Sequence, residues 1–493
     1  MTDPSFRPKA RAVRGFPDKR AATLATERGI VERVLALYES WGFERLETPS
    51  FEYADALGKF LPDQERPNAG VFALEDDDSQ WMALRYDLTA PLARFAAENW
   101  DSLPKPFRRC AAGPVWRNEK PGPGRFREFW QCDADTVGSA SAMADAEMIA
   151  IAAAAMAAAG LPEGSFVIRA SSRRLLDAAM QGAGLGGESA GAVAARLTAL
   201  RALDKLDRLG PEGVAALLTS GRRDESGDFT PGAGLGVGEA DRLLGFVASA
   251  RTTRSETLNA LEASIGDSNT GQAGLTELSA IDSALTALGV PSDRAIFDPS
   301  VVRGLEYYTG AVFEAELTLT VIGDDGNPMR FGSVGGGGRY DDLVSRFRGE
   351  AVPSTGFSVG VSRLAAALQA AGKAQRVVPG PVVILALDTD AAADYLGMAA
   401  ELRSAGIAAE VYLGASGMRA QMKYADKRNA PIAVIMGGDE RARGEVTLKD
   451  LALGAELART ITDNKEWREG RPAQLSVPRA ELVARVRAML DPA

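Results

Sequence analysis

Two extended segments between Phe107 and Val137 flank a loop, Glu119 to Arg125, in which Pro121, Gly122, Pro123 and Gly124 follow one another. Alternating proline and glycine interrupt helix and strand alike, so the chain is expected to reverse there and the flanking arms to pair as a long antiparallel hairpin. With opposing residue numbers summing to an even value near about 244, odd positions of both arms share one face. That face carries Arg117, Arg125, Arg127, Phe129, Gln131, Asp133 and Asp135, and the other carries Cys110, Trp116, Phe126, Trp130 and Cys132. The second set suits a packed back surface. The first is costly to bury unless each charge finds a partner, so it is either a ligand site or a solvated face crossed by ion pairs.

A chain of 493 residues holds about three domains at roughly 150 residues each. With 46% hydrophobic and 25% charged residues it is neither disordered nor collagen-like. It contains no histidine, which removes Ser-His-Asp triads, Cys-His pairs, HExxH zinc sites and every imidazole base. Chemistry is left to carboxylates, arginines, lysines, hydroxyls and the substrate. Cys110 and Cys132 are too few for a disulfide framework or a thiolate zinc site, so they read as small buried hydrophobes in a reducing compartment, and no tightly bound metal is expected. The net charge of -10 speaks against general attraction to nucleic acid or anionic membrane, though not against local basic patches. The longest apolar run, Met148 to Gly160, is mostly alanine and too short for the roughly 20 residues of a spanning helix, so it reads as a buried helix. Arg7, Lys9, Arg11 and Arg14 precede no apolar stretch, which excludes a signal peptide and makes the cytoplasm the expected location.

Residues 28 to 40 place Ile30, Val34 and Tyr38 on one helical stripe, with Gly42 as the stop and Phe43 to Thr48 as a short strand ending at Pro49. The stretch from 178 to 290 is rich in alanine, glycine and leucine and reads as a mostly helical insertion; its glycines at 232, 234, 236 and 238 follow no convincing strand and suggest a flexible connection. Strand character returns at 311 to 322 and 330 to 334, before the run Gly335 to Gly338 and a strand and helix from Gly356 to Leu368. The glycine run either lets backbone approach a substrate closely or marks a corner or bulge. Val377 to Pro381 forms a linker, placed at 375–380, and beyond it strands at 382–387, 407–413 and 432–436 alternate with helices near 391–405 and 416–428. Such alternation implies a small α/β domain with a largely parallel sheet. Its second helix carries Arg419, Lys423 and Lys427 at intervals of four, a basic stripe suited to phosphate contact, while Met418, Met422 and Ala425 can face the core.

Three further segments bear chemistry. Leu84-Arg85-Tyr86-Asp87-Leu88-Thr89 ends a strand with an acid and a hydroxyl two apart; Val302-Arg303-Gly304-Leu305-Glu306-Tyr307-Tyr308-Thr309-Gly310 sets an arginine and two tyrosines between glycines; Gly356 to Leu364 takes a buried strand into a helix with Arg363 in its first turn. Together these resemble the signature segments of histidyl-tRNA synthetase, a class II aminoacyl-tRNA synthetase. Arg28 to Pro49 resembles its motif 1, Phe107 to Gly138 motif 2 and Thr355 to Leu368 motif 3, which all class II enzymes share. RGLEYYTG and SVGGGGRYDDLV are more specific, since they resemble the histidine-recognition segments of this one family. LRYDLT and QCDAD resemble its eukaryote-like branch.

The resemblance implies an α+β fold: a catalytic antiparallel sheet with flanking helices (1–177 and 291–374), a helical insertion (178–290) and a C-terminal α/β anticodon-binding domain (381–493). It implies adenylation of histidine by ATP, as the magnesium complex, followed by transfer to tRNA, and a homodimer formed through motif 1. Carried over by position, Asp87, Thr89 and Gln131 hold the α-ammonium. Asp135 with Tyr307 and Tyr308 holds the imidazole, Arg303 serves the carboxylate and α-phosphate, and Arg117 also grips the α-phosphate. Phe129 and Arg363 sandwich adenine, with Glu119 and Arg125 nearby on ATP, and Arg419, Lys423 and Lys427 face tRNA. The chain departs from the family at Asn118 and Trp130, where many members carry histidine, and at Ser362, which stands for a common glutamate. The competing readings are a non-catalytic regulatory subunit of ATP phosphoribosyltransferase, which generally lacks the anticodon-binding domain, and a nucleic-acid-binding module, which leaves Arg117, Arg303 and Arg363 unexplained.

Overall fold

In a computed structural model of the chain, the described residues are 7, 9–57, 70–122, 124–224, 227–265, 267–302, 308–322, 328–329, 331–372, 379–454 and 473–491. Internal contacts divide the molecule into two units, Met1–Gln375 and Arg376–Ala493.

The first unit is built on an eight-stranded sheet: β1 (Glu44–Arg45), β2 (Phe107–Trp116), β3 (Glu128–Val137), β4 (Phe166–Ser172), β5 (Ala295–Phe297), β6 (Ala311–Leu317), β7 (Ser333–Arg339) and β8 (Ser354–Gly360), in the spatial order β1-β2-β3-β8-β7-β6-β4-β5. The pairings from β2 to β4 are antiparallel, and only the edge strands β1 and β5 run parallel to their neighbours. The hairpin β2–β3 has the expected register. Phe107 faces Val137, Arg109 faces Asp135 and Trp116 faces Glu128. Turn chemistry and a one-sided apolar pattern select this register, because a slip by one residue would bury the charged face instead.

One side of the sheet packs on helices. Cys110, Cys132, Ala134, Phe313, Phe357 and Val359 belong to a core shared with α1 (Ala21–Ser40), α3 (Ala142–Ala158) and α11 (Val361–Ala370). Helix α3 is the alanine-rich run; Ser141 caps it by accepting from the Met143 N–H, and its small side chains let it lie close on β8. Helix α1 begins at Ala21, seven residues before the stripe that announced it, because Ala21 to Thr26 are tolerant helix residues outside that stripe. It ends as expected at Gly42, whose φ of +84° suits glycine. The expected strand 43–48 is shorter, pairing at Glu44 and Arg45 with one further bond from Leu46 N–H to Cys110 O.

The insertion is helical from α4 (Arg173–Gly182) through α5 (Ala190–Leu203), α6 (Leu206–Leu218), α7 (Val237–Val247) and α8 (Arg254–Ile265) to α9 (Asn269–Ala287), and Leu200, Leu243, Phe246 and Ile281 join the same core. Its glycine segment is not a loose connection. A short hairpin, 221–223 with 229–231, precedes it, and the N–H groups of Ala233, Gly234 and Leu235 bond to carbonyls of Leu217, Thr219 and Leu218.

The second unit has a five-stranded sheet, β9 (Val382–Ile384), β10 (Ala409–Val411), β11 (Ile432–Ile435), β12 (Glu445–Asp450) and β13 (Gln474–Pro478), ordered β10-β9-β11-β12-β13. The expected parallel part is there, but β12 and β13 add antiparallel pairs and make the sheet mixed. Helices α12 (Ala392–Ser404) and α13 (Met418–Lys427) connect the parallel strands. Among the described residues no helix is long and apolar enough to cross a membrane.

Candidate active site

The face of the main sheet away from the shared core carries Gln131, Asp133 and Asp135 of β3, Gly356, Ser358 and Gly360 of β8, Gly336 and Gly338 of β7, and Val312 and Glu314 of β6, as the pairings require. Over it lies a cleft of about 520 Å³. The glycines shape both sides of β7. A side chain at Gly335 or Gly337 would strike the Phe357 ring or the backbone of β8, whereas one at Gly336 would meet only the Phe313 carbonyl at 3.9 Å, so glycine there leaves the cleft floor low. Glycine thus serves close packing behind and ligand room in front, and a bulge follows between Ala315 and Glu316.

Nine residues singled out from the sequence line this cleft: Asp87, Thr89, Arg117, Glu119, Arg125, Phe129, Gln131, Tyr308 and Arg363. Asp87 and Thr89 do not share a strand face as expected. The strand 81–84 ends earlier and Thr89 opens α2 (Thr89–Asn99), where Asp87 Oδ1 accepts from the N–H groups of Thr89 and Ala90. Desolvation pushes the Asp87 carboxyl up, while the Ala90 N–H and the Arg117 charge oppose the shift. Arg117 donates from Nε to Tyr86 O at 3.1 Å and lies 5.2 Å from the Phe129 ring centroid. Arg363, in the first turn of α11, donates to Phe331 O. Glu119 and Arg125 come from the hairpin loop, where Arg127 Nε donates to Glu119 O and the Arg127 N–H to Gly15 O. Phe126, expected on the back surface, also lines the cleft, because strand alternation ends before Glu128. The Ser362 hydroxyl accepts from Trp130 N–H and from Lys19 Nζ, which is ion-paired with Glu27 at 2.8 Å.

Asp135 is the exception. It does not line the cleft; Tyr340 donates its hydroxyl to Asp135 Oδ1, and Arg109, 1% exposed, pairs with Oδ2 at 3.1 Å. Burial raises the Asp135 carboxyl, opposed by Arg109 and Tyr340. Arg109 also donates to Leu88 O. Tyr340 and Arg109 were missed by sequence reading; the hairpin register sets Arg109 opposite Asp135 and carried a signal for Arg109, whereas no spacing connects Tyr340 to Asp135. Asp133, which the hairpin pattern placed on this face without a role, does line the cleft. Arg303 and Tyr307 lie outside the described residues, although Val301 and Tyr308 on either side of their segment are both in the cleft wall. Burial and then the charges of Asp87, Asp135 and Asp133 push the Tyr308 hydroxyl up. Cationic side chains therefore gather, together with Glu119, toward the hairpin loop and α11, and Asp87, Asp133 and Asp135 gather about Tyr308.

In the second unit, Arg419, Lys423 and Lys427 are exposed along α13, and Ala425 and Met422 pack inward. Met418 stays outside at 45% exposure, because it opens the helix before the first packed turn.

The family described as "Histidyl-tRNA synthetase" matches residues 15–364, and "Anticodon binding domain" matches residues 381–489. The chain belongs to the histidyl-tRNA synthetase family. The "Histidine--tRNA ligase" of Caulobacter vibrioides is 60% identical over 487 residues, 98% of this chain and 97% of that protein. That of Mesorhizobium japonicum is 53% identical over 498 residues, 99% of this chain and 98% of that protein. The crystal structure of histidyl-tRNA synthetase from Nostoc sp. superposes with a TM-score of 0.70 at 28% identity, covering 98% of this chain and 99% of that one. The antiparallel sheet with its helices is the class II catalytic domain of this family, and the mixed sheet of the second unit is its anticodon-binding domain.

Proposed function

We propose that the protein is a histidine–tRNA ligase that joins L-histidine to ATP as histidyl-adenylate, releases pyrophosphate and passes the amino acid to the 3′ end of its tRNA. The observation that carries this reading is one cleft with arginines toward one end and carboxylates with a tyrosine toward the other. Attack of a carboxylate on a phosphate brings two anions together, and fixed guanidiniums aimed at the developing charge are the device that lowers that barrier. Arg117 and Arg303 serve the α-phosphate, Phe129 and Arg363 enclose adenine, and Glu119 and Arg125 meet the rest of the magnesium–ATP substrate, with no tightly bound metal of the protein's own.

At the acidic end Asp87, Thr89 and Gln131 receive the α-ammonium, and Tyr308, Tyr307 and Asp135 recognise the ring. Asp135 acts there from behind the cleft lining, where Arg109 and Tyr340 hold its orientation. A pocket that hydrogen-bonds both ring nitrogens leaves buried groups unpaired for any amino acid lacking them, which is the strong form of discrimination. The second unit with its basic stripe favours this reading over that of a regulatory subunit of ATP phosphoribosyltransferase. The remaining partners are tRNA and a second copy of the chain. Phe51, Tyr53 and Trp81, exposed at 42%, 56% and 45% on the small sheet after motif 1, supply apolar surface for that copy. The cytoplasm is the location that suits these substrates.

The test is histidine-dependent exchange of pyrophosphate into ATP, repeated with Arg303→Ala. The expected loss is about 10²-fold or more in adenylation, with a smaller effect on histidine binding. Near-normal exchange by the variant removes Arg303 from the role, and no exchange by the unaltered protein removes the ligase reading.

A further inference from the structure

Asp133 sits on β3 between Gln131 and Asp135 and faces the cleft at 2% exposure. Its cross-strand neighbours are Ala111 on β2, which offers no charge, and Ser358 on β8, which lies close enough to favour the ionised form. Among the described residues no hydrogen bond of standard geometry reaches either of its carboxylate oxygens, and Gln131 Oε1 is likewise without one. Of the nearby cations, Arg109 bonds through Nη2 to Asp135 and Leu88 O and acts on Asp133 by its charge without a hydrogen bond, and Arg85 is held by the carbonyls of Pro114, Thr48 and Pro49. Buried polar atoms are normally bonded, and a buried carboxylate costs several kcal/mol when unpaired, by order of magnitude, so two adjacent bare acceptors aimed into one cleft call for a donor that arrives from outside.

We propose that Asp133 is a substrate-binding carboxylate that, together with Gln131 Oε1, accepts the α-ammonium of the amino acid. This inference rests on the ligase reading above and adds to its ammonium site a buried, cleft-facing acid. The chemistry selects the ammonium over the ring. At neutral pH an imidazole with its ordinary pKa near about 6.5 is largely uncharged, whereas the ammonium is a full cation with three N–H donors. One Asp87 oxygen is already occupied at the start of α2, which leaves Asp133 and Gln131 Oε1 to take the ammonium's further N–H donors. Residues two apart on a strand are separated by about 7 Å, so a ligand anchored by its ammonium at Asp133 can extend its ring toward Asp135 and Tyr308. Burial, reinforced by Asp135 and Asp87 and opposed by Arg109 and Ser358, favours the neutral acid while the cleft is empty. Arrival of the cation restores the charge where it forms a charge-assisted bond.

The experiment compares the unaltered protein with Asp133→Asn and Asp133→Ala. Asparagine copies the neutral acid that the empty cleft favours, so folding should be preserved, and ATP binding at the parental affinity checks the cleft in both variants. L-histidine, L-histidinol, which keeps ammonium and ring, and 3-(imidazol-4-yl)propanoate, which lacks the ammonium, are titrated calorimetrically. Removing one partner of a buried charge pair should weaken histidine and histidinol by about 30-fold or more, while the propanoate should bind all three proteins within about threefold. Histidine binding by both variants within threefold of the parent overturns the proposal, as does an equal loss for the propanoate, which would assign Asp133 to the ring. A parent protein without histidine-dependent exchange overturns the ligase reading and this inference with it.

Discussion

Asp133 and Asp135 stand on one face of one strand, yet their surroundings divide their roles. Asp135 is locked between Arg109 and Tyr340; Asp133 is buried in the cleft lining. Replacing Asp135 by asparagine leaves the Arg109 charge buried without its partner, and breaking such a pair costs about 3–5 kcal/mol. Asp135→Asn should therefore shift denaturant unfolding by that order as well as weaken histidine; an unchanged unfolding midpoint would show that Arg109 finds another partner. Asp133 gives the opposite sign. Its carboxyl is pushed up to about 7 by burial, with Arg109 and Ser358 opposing and Asp135 and Asp87 reinforcing, so the folded protein retains a proton that the unfolded chain releases near about pH 4. The contribution to stability is full below pH 4 and is lost as pH rises through 7. Thermal melts of Asp133→Asn should gain on the parent between about pH 4 and 7 and run parallel above it; parallel curves throughout would refute the assignment.

At the level of elements, the hairpin was legible because a Pro-Gly-Pro-Gly loop and a one-sided apolar pattern point to the same register. The flanking segments were less so. Asp87 and Thr89 looked like one strand face, but the turn into α2 uses the Asp87 side chain to satisfy free helical N–H groups, a demand that two-residue spacing does not reveal. Strands β12 and β13 are short and separated by residues 451–473, so their pairing depends on contacts far apart in sequence. Helix α13 was legible from its spacing of four, and its three exposed cations give an element-scale prediction. Replacing Arg419, Lys423 and Lys427 together by alanine should leave pyrophosphate exchange within about twofold. It should also weaken tRNA binding and flatten its salt dependence, since each phosphate contact contributes roughly one to the logarithmic slope. An unchanged slope in a filter-binding titration would take α13 out of the tRNA surface.

On the scale of the whole molecule, the first unit encloses the entire described cleft and a core of its own, so adenylation and tRNA recognition should be separable. A chain ending after Ala374 is expected to retain histidine-dependent exchange and to charge tRNA poorly. Charging at the parental rate would mean that the second unit has another task; a melting curve shows whether the shortened chain is folded. The insertion helices share that same core, so their removal, unlike that of the second unit, should unfold the catalytic domain.

Composition and local pattern alone determined that the chain is globular, has no imidazole chemistry of its own, reverses at residues 119–125, ends in an α/β unit and carries the signature segments of its family. These are properties of neighbouring residues, of turn preference, of periodicity and of residue types present or missing. Which carboxylate is already compensated and which is left waiting was decided by Arg109, Tyr340 and Ser358, brought together from far along the chain, Tyr340 from 205 residues beyond Asp135. Charge compensation acts through space over a few ångströms, and only the folded sheet sets those distances.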